Sequence, residues 1–194
     1  MPLSREHKKN TRTRILEAAR RLFNKRGFNN VPIDDIMAEA GLTRGGFYNH
    51  FRAKEDLYAE ALTTFADGAK RAVISSAHTG PDRVLSFIRG YISRRHLQTV
   101  EDQCPLIALS TDVARAGPAT RQAYEGIVRN IIEFFENEAP SNDTLTARER
   151  SLATAAICIG AMVLARTVDD KSLAEEICDA SRKLAEETVI PSKA

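Results

Sequence analysis

The sequence predicts an all-α protein: a three-helix head over residues 1–53, then a six-helix body over residues 54–194. Three observations carry this expectation. Apolar residues recur at i, i+3, i+4 and i+7 in nearly every segment. The breaks between segments hold Gly, Pro, Asn and Asp, the residues that end helices. No run alternates apolar and polar residues between hairpin signals, so no strand is expected. At 194 residues, 43% apolar and 28% charged, the chain suits one domain or two small ones sharing a core. Internal repeats and low-complexity stretches are absent from the sequence.

The elements follow in order. Ile15, Ala18, Ala19, Leu22 and Phe23 share one helix face. Lys25 and Arg26 complement the dipole at its end, and Gly27 suits the left-handed position after it. The first helix is expected from about Lys9 to Arg26. Asn29-Asn30-Val31-Pro32 forms a turn. Ile33, Ile36, Met37 and Ala40 then mark a short second helix, with Asp34 and Asp35 in its first turn and Gly41 ending it. Thr43 suits an N-cap for a third helix over Arg44 to Phe51, with Phe47 and Phe51 facing inward. Two short helices joined by a tight turn containing Gly form a helix-turn-helix pattern. A fourth helix is expected over 54–76, and five more at about 82–98, 105–115, 118–138, 146–168 and 171–188. Nine helices are expected in all.

Charge divides along the same line. The chain carries a net +2, which alone does not suggest a nucleic-acid partner. Residues 1–55 hold 12 Lys and Arg against 6 Asp and Glu, a net +6. The remainder holds 16 bases against 20 acids, a net −4. A basic module joined to an acidic body is one reading, and an ordinary solvated surface is the other.

The stretch from Thr43 to Leu57 contains Tyr48, His50, Phe51 and Lys54 in a Tyr-x-His-Phe pattern followed by a lysine. Before it lie Phe23-x-x-x-Gly27 and the run Ile33-Asp34-Asp35-Ile36-Met37-Ala38-Glu39-Ala40-Gly41. Taken together, residues 10–60 resemble the head of the TetR/AcrR family of transcriptional repressors. Residues Gly160 to Arg166 and Leu173 to Ile177 resemble the last two helices of AcrR-like members more weakly, because that region diverges. The resemblance implies a helix-turn-helix DNA-binding domain followed by a ligand-binding and dimerisation domain. It also implies a repressor that binds a palindromic double-stranded DNA operator as a homodimer and is released by a small-molecule effector.

The chemistry of the motif agrees. A recognition helix presents its N-terminal residues to base edges in the major groove. Arg44 follows the cap and can donate two hydrogen bonds to guanine, roughly 1–3 kcal/mol of discrimination. Gly45 and Gly46 weaken the helix but allow close approach to DNA. Base reading then leans on Arg44, Asn49 and DNA shape. Thr43, Tyr48, His50 and Lys54 are implied phosphate contacts, which set register rather than sequence. Ala53, where the family often has Ser, Asn or Gly, is a poorer cap for the fourth helix. Arg5, Lys8, Lys9, Arg12 and Arg14 form a basic arm that can reach a phosphate or the minor groove.

The last two helices are expected to dimerise. Ala153, Ala156, Ile157, Gly160, Ala161 and Leu164 share one face of the first, and Leu173, Ile177, Ala180 and Leu184 one face of the second. A symmetric pair would form a four-helix interface, whereas packing within one chain would use the same residues. Phe65, Phe87, Ile88, Tyr91, Ile107, Tyr124, Val128 and Met162 are candidate walls of an effector pocket, although apolar stripes of this kind also build ordinary cores.

An enzyme is not expected. The sequence lacks a phosphate-binding Gly loop, a Gly-x-Ser-x-Gly motif and paired metal ligands. No cofactor and no metal site are expected. Cys104, Cys158 and Cys178 are too few and too dispersed for a disulfide framework, although Cys104 precedes Pro105 at a loop end and raises the possibility of redox sensing. A polar, basic start and the lack of an 18-residue apolar run point to a cytoplasmic protein with no membrane partner.

Overall fold

The computed structural model describes residues 5–74, 79–138 and 145–189. Among them are ten α-helices and one 3₁₀ helix, with no strand. The helices are α1 Arg5–Arg26, α2 Ile33–Glu39, the 3₁₀ helix Arg44–Asn49 and α3 Lys54–Ile74. Next come α4 Gly80–Tyr91, α5 Arg94–Gln98, α6 Pro105–Ala108 and α7 Ser110–Ala114. The chain continues with α8 Pro118–Glu138, α9 Ala147–Thr167 and α10 Lys171–Val189. The all-α architecture expected from sequence is present.

Four local features differ from expectation, each for a physical reason. The arm is not a separate segment, because α1 already begins at Arg5. The recognition element is a 3₁₀ helix. Gly45 and Gly46 remove the propensity for an α-helix, and the Gly46 N–H bonds to Thr43 O at 3.0 Å, three residues back. The expected 82–98 helix breaks after Tyr91. There the Ser93 hydroxyl accepts from His96 N at 3.1 Å and starts α5 anew. The expected 105–115 helix divides at Leu109, whose backbone leaves the helical region (φ −124°, ψ 6°). These two breaks give eight helices after the head rather than six. The expected turn at Pro140 to Asp143 lies outside the described residues.

One signal was overlooked. Thr146 and Glu149 form a capping box: the Thr146 hydroxyl accepts from Glu149 N while the Glu149 carboxylate accepts from Thr146 N. The Thr-x-x-Glu spacing was legible in the sequence. Hydrogen bonds from Thr146 also hold the Glu149 carboxyl below its ordinary pKa.

The chain divides into two compact units. The first is Met1–Asp67 with Cys104–Ile127, and the second is Gly68–Gln103 with Val128–Ala194. Compactness therefore groups the chain otherwise than a boundary at 53/54 would: α6 and α7 cluster with the head. In the first unit, α1 packs on α2 and on α6, and α2 packs on the 3₁₀ helix. Its core gathers Ile15, Ala19, Phe23, Val31, Ile36, Phe47 and Leu57. The second unit is built on the pairing of α9 with α10, with α4 against α10.

Gly27 shows how tightly the first unit is closed. Its φ is +76°, and its N–H bonds to Phe23 O at 2.8 Å. A Cβ there would lie 2.9 Å from Asp112 Oδ2, and that oxygen already accepts from Phe28 N at 2.8 Å. Gly27→Ala is expected to destabilise the protein by about 1–3 kcal/mol, combining left-handed strain with the weakened Asp112 cap. Urea unfolding measures this, and an unchanged midpoint would contradict it.

Candidate nucleic-acid interface

The geometry of the head separates an inner from an outer face. Phe47 and Phe51 are buried, with ring centroids 5.7 Å apart. Thr43, Arg44, Gly45, Tyr48 and Asn49 are exposed, and Gly46 and His50 are half-buried. This alternation follows from the tight turn: two aromatic anchors four residues apart pull one edge inward and leave the polar edge outside. Tyr48 is 60% exposed and stands edge-on to Phe47 at 5.2 Å. A Cβ on Gly45 would meet nothing within 4 Å, so internal packing does not demand glycine there. At Gly46 it would meet Met37 Cε at 3.5 Å, an ordinary contact.

Thr43 was expected to cap with its side chain. Its backbone is extended as a cap requires, yet its hydroxyl makes no cap hydrogen bond. Arg44 pairs with Asp34, Nη1 to Oδ2 at 2.6 Å, and both side chains are more than half exposed. Such a pair contributes about 0–1 kcal/mol, so a guanine edge or a phosphate can displace Asp34 at little cost. Until then, the pair holds the guanidinium at the outer face.

Lys54 is engaged within the head. Its ammonium donates to Phe28 O at 2.8 Å and to Val31 O at 3.0 Å, and lies 4.2 Å from the Phe28 ring centroid. Burial lowers its pKa, while Glu55 and Asp112 pull the other way. The lysine thus ties the α1–α2 loop to the start of α3. Phe28 is itself wedged beside Phe23 and stacked on Tyr58 at 4.6 Å.

The sequence reading also missed how the arm residues are used. Arg12 forms a two-pronged ion pair with Glu60, with Nε to Oε1 at 2.7 Å, and its Nη1 donates to His50 O. Its guanidinium stacks 4.2 Å over the Phe51 ring. Arg14 donates to Ala40 O. Both arginines therefore staple α1 to the helix-turn-helix, whereas Arg5, Lys8 and Lys9 stay exposed. No local signal announces these partners, which lie 26 to 48 residues away. Asp112, 84 residues from Phe28, was equally invisible.

His50 ends the 3₁₀ helix with its Nδ1 buried and unpartnered among the described residues. Burial lowers its pKa below 6.5, and Arg12 and Lys8 lower it further.

Comparison with known proteins places this geometry. Residues 15–61 match the family model described as "Bacterial regulatory proteins, tetR family". A crystal structure of a TetR-family transcriptional regulator from Agrobacterium tumefaciens superposes with a TM-score of 0.79 at 18% identity, over 94% of this chain and 100% of that one.

Residues 15–61 form a TetR-family head.

Among curated members, it is 32% identical over 126 residues to the repressor DhaR of a Mycobacterium species, covering 64% of this chain and 63% of DhaR. Against the regulator AcrR of Shigella flexneri it is 39% identical over 57 residues, covering 29% of this chain and 26% of AcrR. The chain spans less than two thirds of the length of either relative.

The remaining candidate residues fall as follows. On α9, Ala156 and Leu164 are exposed, and Ala153, Ile157 and Gly160 are half-buried. On α10, Leu173, Ala180 and Leu184 are exposed, and Ile177 is half-buried. Ala161 lies apart from this group, buried on the inner face of α9. Of the candidate pocket residues, Phe65, Ile107 and Tyr124 belong to the first unit, where the Tyr124 hydroxyl donates to Leu106 O at 3.3 Å and burial pushes its pKa up to about 12. Phe87, Ile88, Tyr91, Val128 and Met162 belong to the second. Ile88 and Met162 are fully buried. Phe87 and Tyr91 border a cleft of about 510 Å³, together with Ser93, Arg95, His96 and Thr99. Cys104, Cys158 and Cys178 are buried and unbridged, and burial pushes the Cys158 thiol up to about 12.

Two outcomes follow from this geometry. Lys54→Met is expected to lower the melting temperature by several degrees and to leave the salt dependence of DNA binding unchanged. A direct phosphate contact would instead flatten the slope by about one unit. His50 gives a pH dependence. In the free protein its lowered pKa contributes stability above pH ~6.5 that is lost as pH falls toward the lowered value. A phosphate beside the ring favours the charged form, so DNA affinity is expected to rise as pH falls below about 6.5. Fluorescence anisotropy between pH 5.5 and 8 tests this, with His50→Gln expected to remove the rise.

Proposed function

We propose that this chain is a transcriptional repressor that binds a palindromic operator as a homodimer and releases it when a small-molecule effector binds. The observation that carries the reading is the outer face of the head. Thr43, Arg44, Gly45, Tyr48 and Asn49 stand exposed together, held from behind by Phe47 and Phe51. Arg44 is the base reader in this reading, with Asn49 beside it. Thr43, Tyr48 and His50 meet phosphates, and the bare Gly45 lets the backbone approach the groove. Lys54 acts from beneath by fixing the loop that carries α2.

Dimerisation is supported by what α9 and α10 leave uncovered. Leu164, Leu173 and Leu184 are 57, 43 and 53% exposed, and Leu152 adds a further 45%. Large apolar side chains aligned along two neighbouring helices mark an interaction face. A Cβ on Gly160 would meet nothing within 4 Å, leaving room for a second helix at close range. Two heads held by such a four-helix interface read half-sites about 34–36 Å apart, or a multiple of that spacing. An effector acts by binding the non-operator form better than the operator form. The repressor named among the relatives, DhaR, favours repression as the direction of control.

The α9 helix alone among the described helices is long and apolar enough to cross a membrane. Its inner face nevertheless buries Arg150, Ser151 and Thr154 beside Cys158 and Met162, the pattern of a core helix. We therefore read α9 as a core helix rather than a membrane span, in keeping with a soluble regulator.

Selection from a random DNA pool tests the operator, and a palindrome is the expected result. Replacing Leu164 and Leu173 together with Glu is expected to give a monomer in sedimentation analysis. It should also weaken operator binding roughly a hundredfold or more, because each head then holds its half-site alone. A double variant that remains dimeric would remove this face from the interface.

A further inference from the structure

The largest fully buried side chain in the described structure is not an aromatic but Arg150, only 2% exposed. It lies on the inner face of α9, one turn inside the capping box. A guanidinium carries five N–H donors and keeps its charge at any accessible pH. Among the described residues, the Arg150 side chain makes a single hydrogen bond, from Nη1 to Leu145 O at 3.3 Å, and no ion pair. Its Nε is buried with no acceptor. Thr154, one turn further along, is 0% exposed, and its hydroxyl is likewise unpartnered. Ser151 between them is already engaged with Ala147 O at 2.7 Å.

Three circumstances disfavour the cation here. It is shielded from water, it lacks a counter-charge among the described residues, and it sits in the positive end of a helix dipole. An anion with two acceptor oxygens relieves all three. We propose that Arg150 and Thr154 form a binding site for an organic carboxylate within the second unit, the carboxylate lying on the guanidinium and accepting from the Thr154 hydroxyl. The planar fork matches a carboxylate. The neighbouring inner-face residues Ala155 and Cys158 are buried and apolar, which suits an organic acid better than a strongly hydrated inorganic ion. The proposal rests on the effector reading above only for its consequence at the operator. Binding itself is measured without DNA, so the two can fail separately.

The experiment is thermal unfolding of the full chain with benzoate, hexanoate and decanoate. Benzamide, hexanol and decanol serve as uncharged controls, and sulfate as an inorganic anion. At least one carboxylate is expected to raise the melting temperature saturably, by roughly 5 °C or more at a hundredfold excess over its dissociation constant. Its uncharged counterpart and sulfate should not. Arg150→Met should abolish the shift while leaving the ligand-free protein at least as stable as the parent, because an uncompensated charge has been replaced by an apolar side chain of similar length. Thr154→Val should weaken the affinity about threefold or more. Several results would overturn the site: no shift with any carboxylate, an equal shift with sulfate or the neutral analogues, or a shift retained in Arg150→Met. An Arg150→Met chain that is strongly destabilised or unfolded without ligand would also overturn it, by showing that the chain supplies the counter-charge itself.

Discussion

The loop between α1 and α2 must reverse the chain while keeping its backbone polar groups paired. Everything the head presents outward depends on how that is done. Lys54 donates to the carbonyls of Phe28 and Val31, and Asp112 accepts the Phe28 N–H. A cation from α3 and an anion from α7 thus hold opposite sides of one turn. Between them Phe28 fills the space beside Phe23 and Tyr58. Charge-assisted bonds to a half-buried backbone are stronger than their neutral counterparts. They hold the turn that leads into α2, and α2 packs on the 3₁₀ helix, with Met37 and Phe47 both buried.

The same economy explains the basic excess of the head. Not all of its charge faces outward. Arg12 is occupied by Glu60 and the Phe51 ring, Arg14 by Ala40 O, and Lys54 by the loop. Arg5, Lys8, Lys9, Arg21, Lys25 and Arg52 are exposed, and Arg26 and Arg44 are held at the surface by Asp35 and Asp34. A net +6 therefore combines two functions, internal stapling and an outward field. Only the exposed part should contribute to the salt dependence of DNA binding.

In the second unit, the two faces of α9 and α10 divide the work. Small buried residues, Ala155, Cys158, Ala161 and Ala165 on α9 and Ala174, Cys178 and Ala185 on α10, let the pair approach closely. Met162 is buried among them, whereas Leu152, Leu164, Leu173 and Leu184 are exposed. The inner face is interrupted at its start by Arg150, Ser151 and Thr154.

The sequence by itself determined the helical class, the position of the helix-turn-helix, the glycine stops at 27 and 41, and the outward placement of Arg44 and Tyr48. These rest on short-range rules: periodicity, caps, and the freedom of glycine at positive φ, found at +76° and +66°. Even so, local propensity misjudged the 3₁₀ turn, the break at Ser93 and the division at Leu109, where competing hydrogen bonds or loss of helical backbone geometry decide the outcome. Only the tertiary structure decided that Lys54 holds a loop, that Arg12 and Arg14 are staples, that Asp112 belongs with the head, and that Ala161 is buried. It also revealed Arg150 as an interior cation. Each of these depends on which distant residue arrives beside a charge or a face, and that information lies in chain topology rather than in sequence spacing.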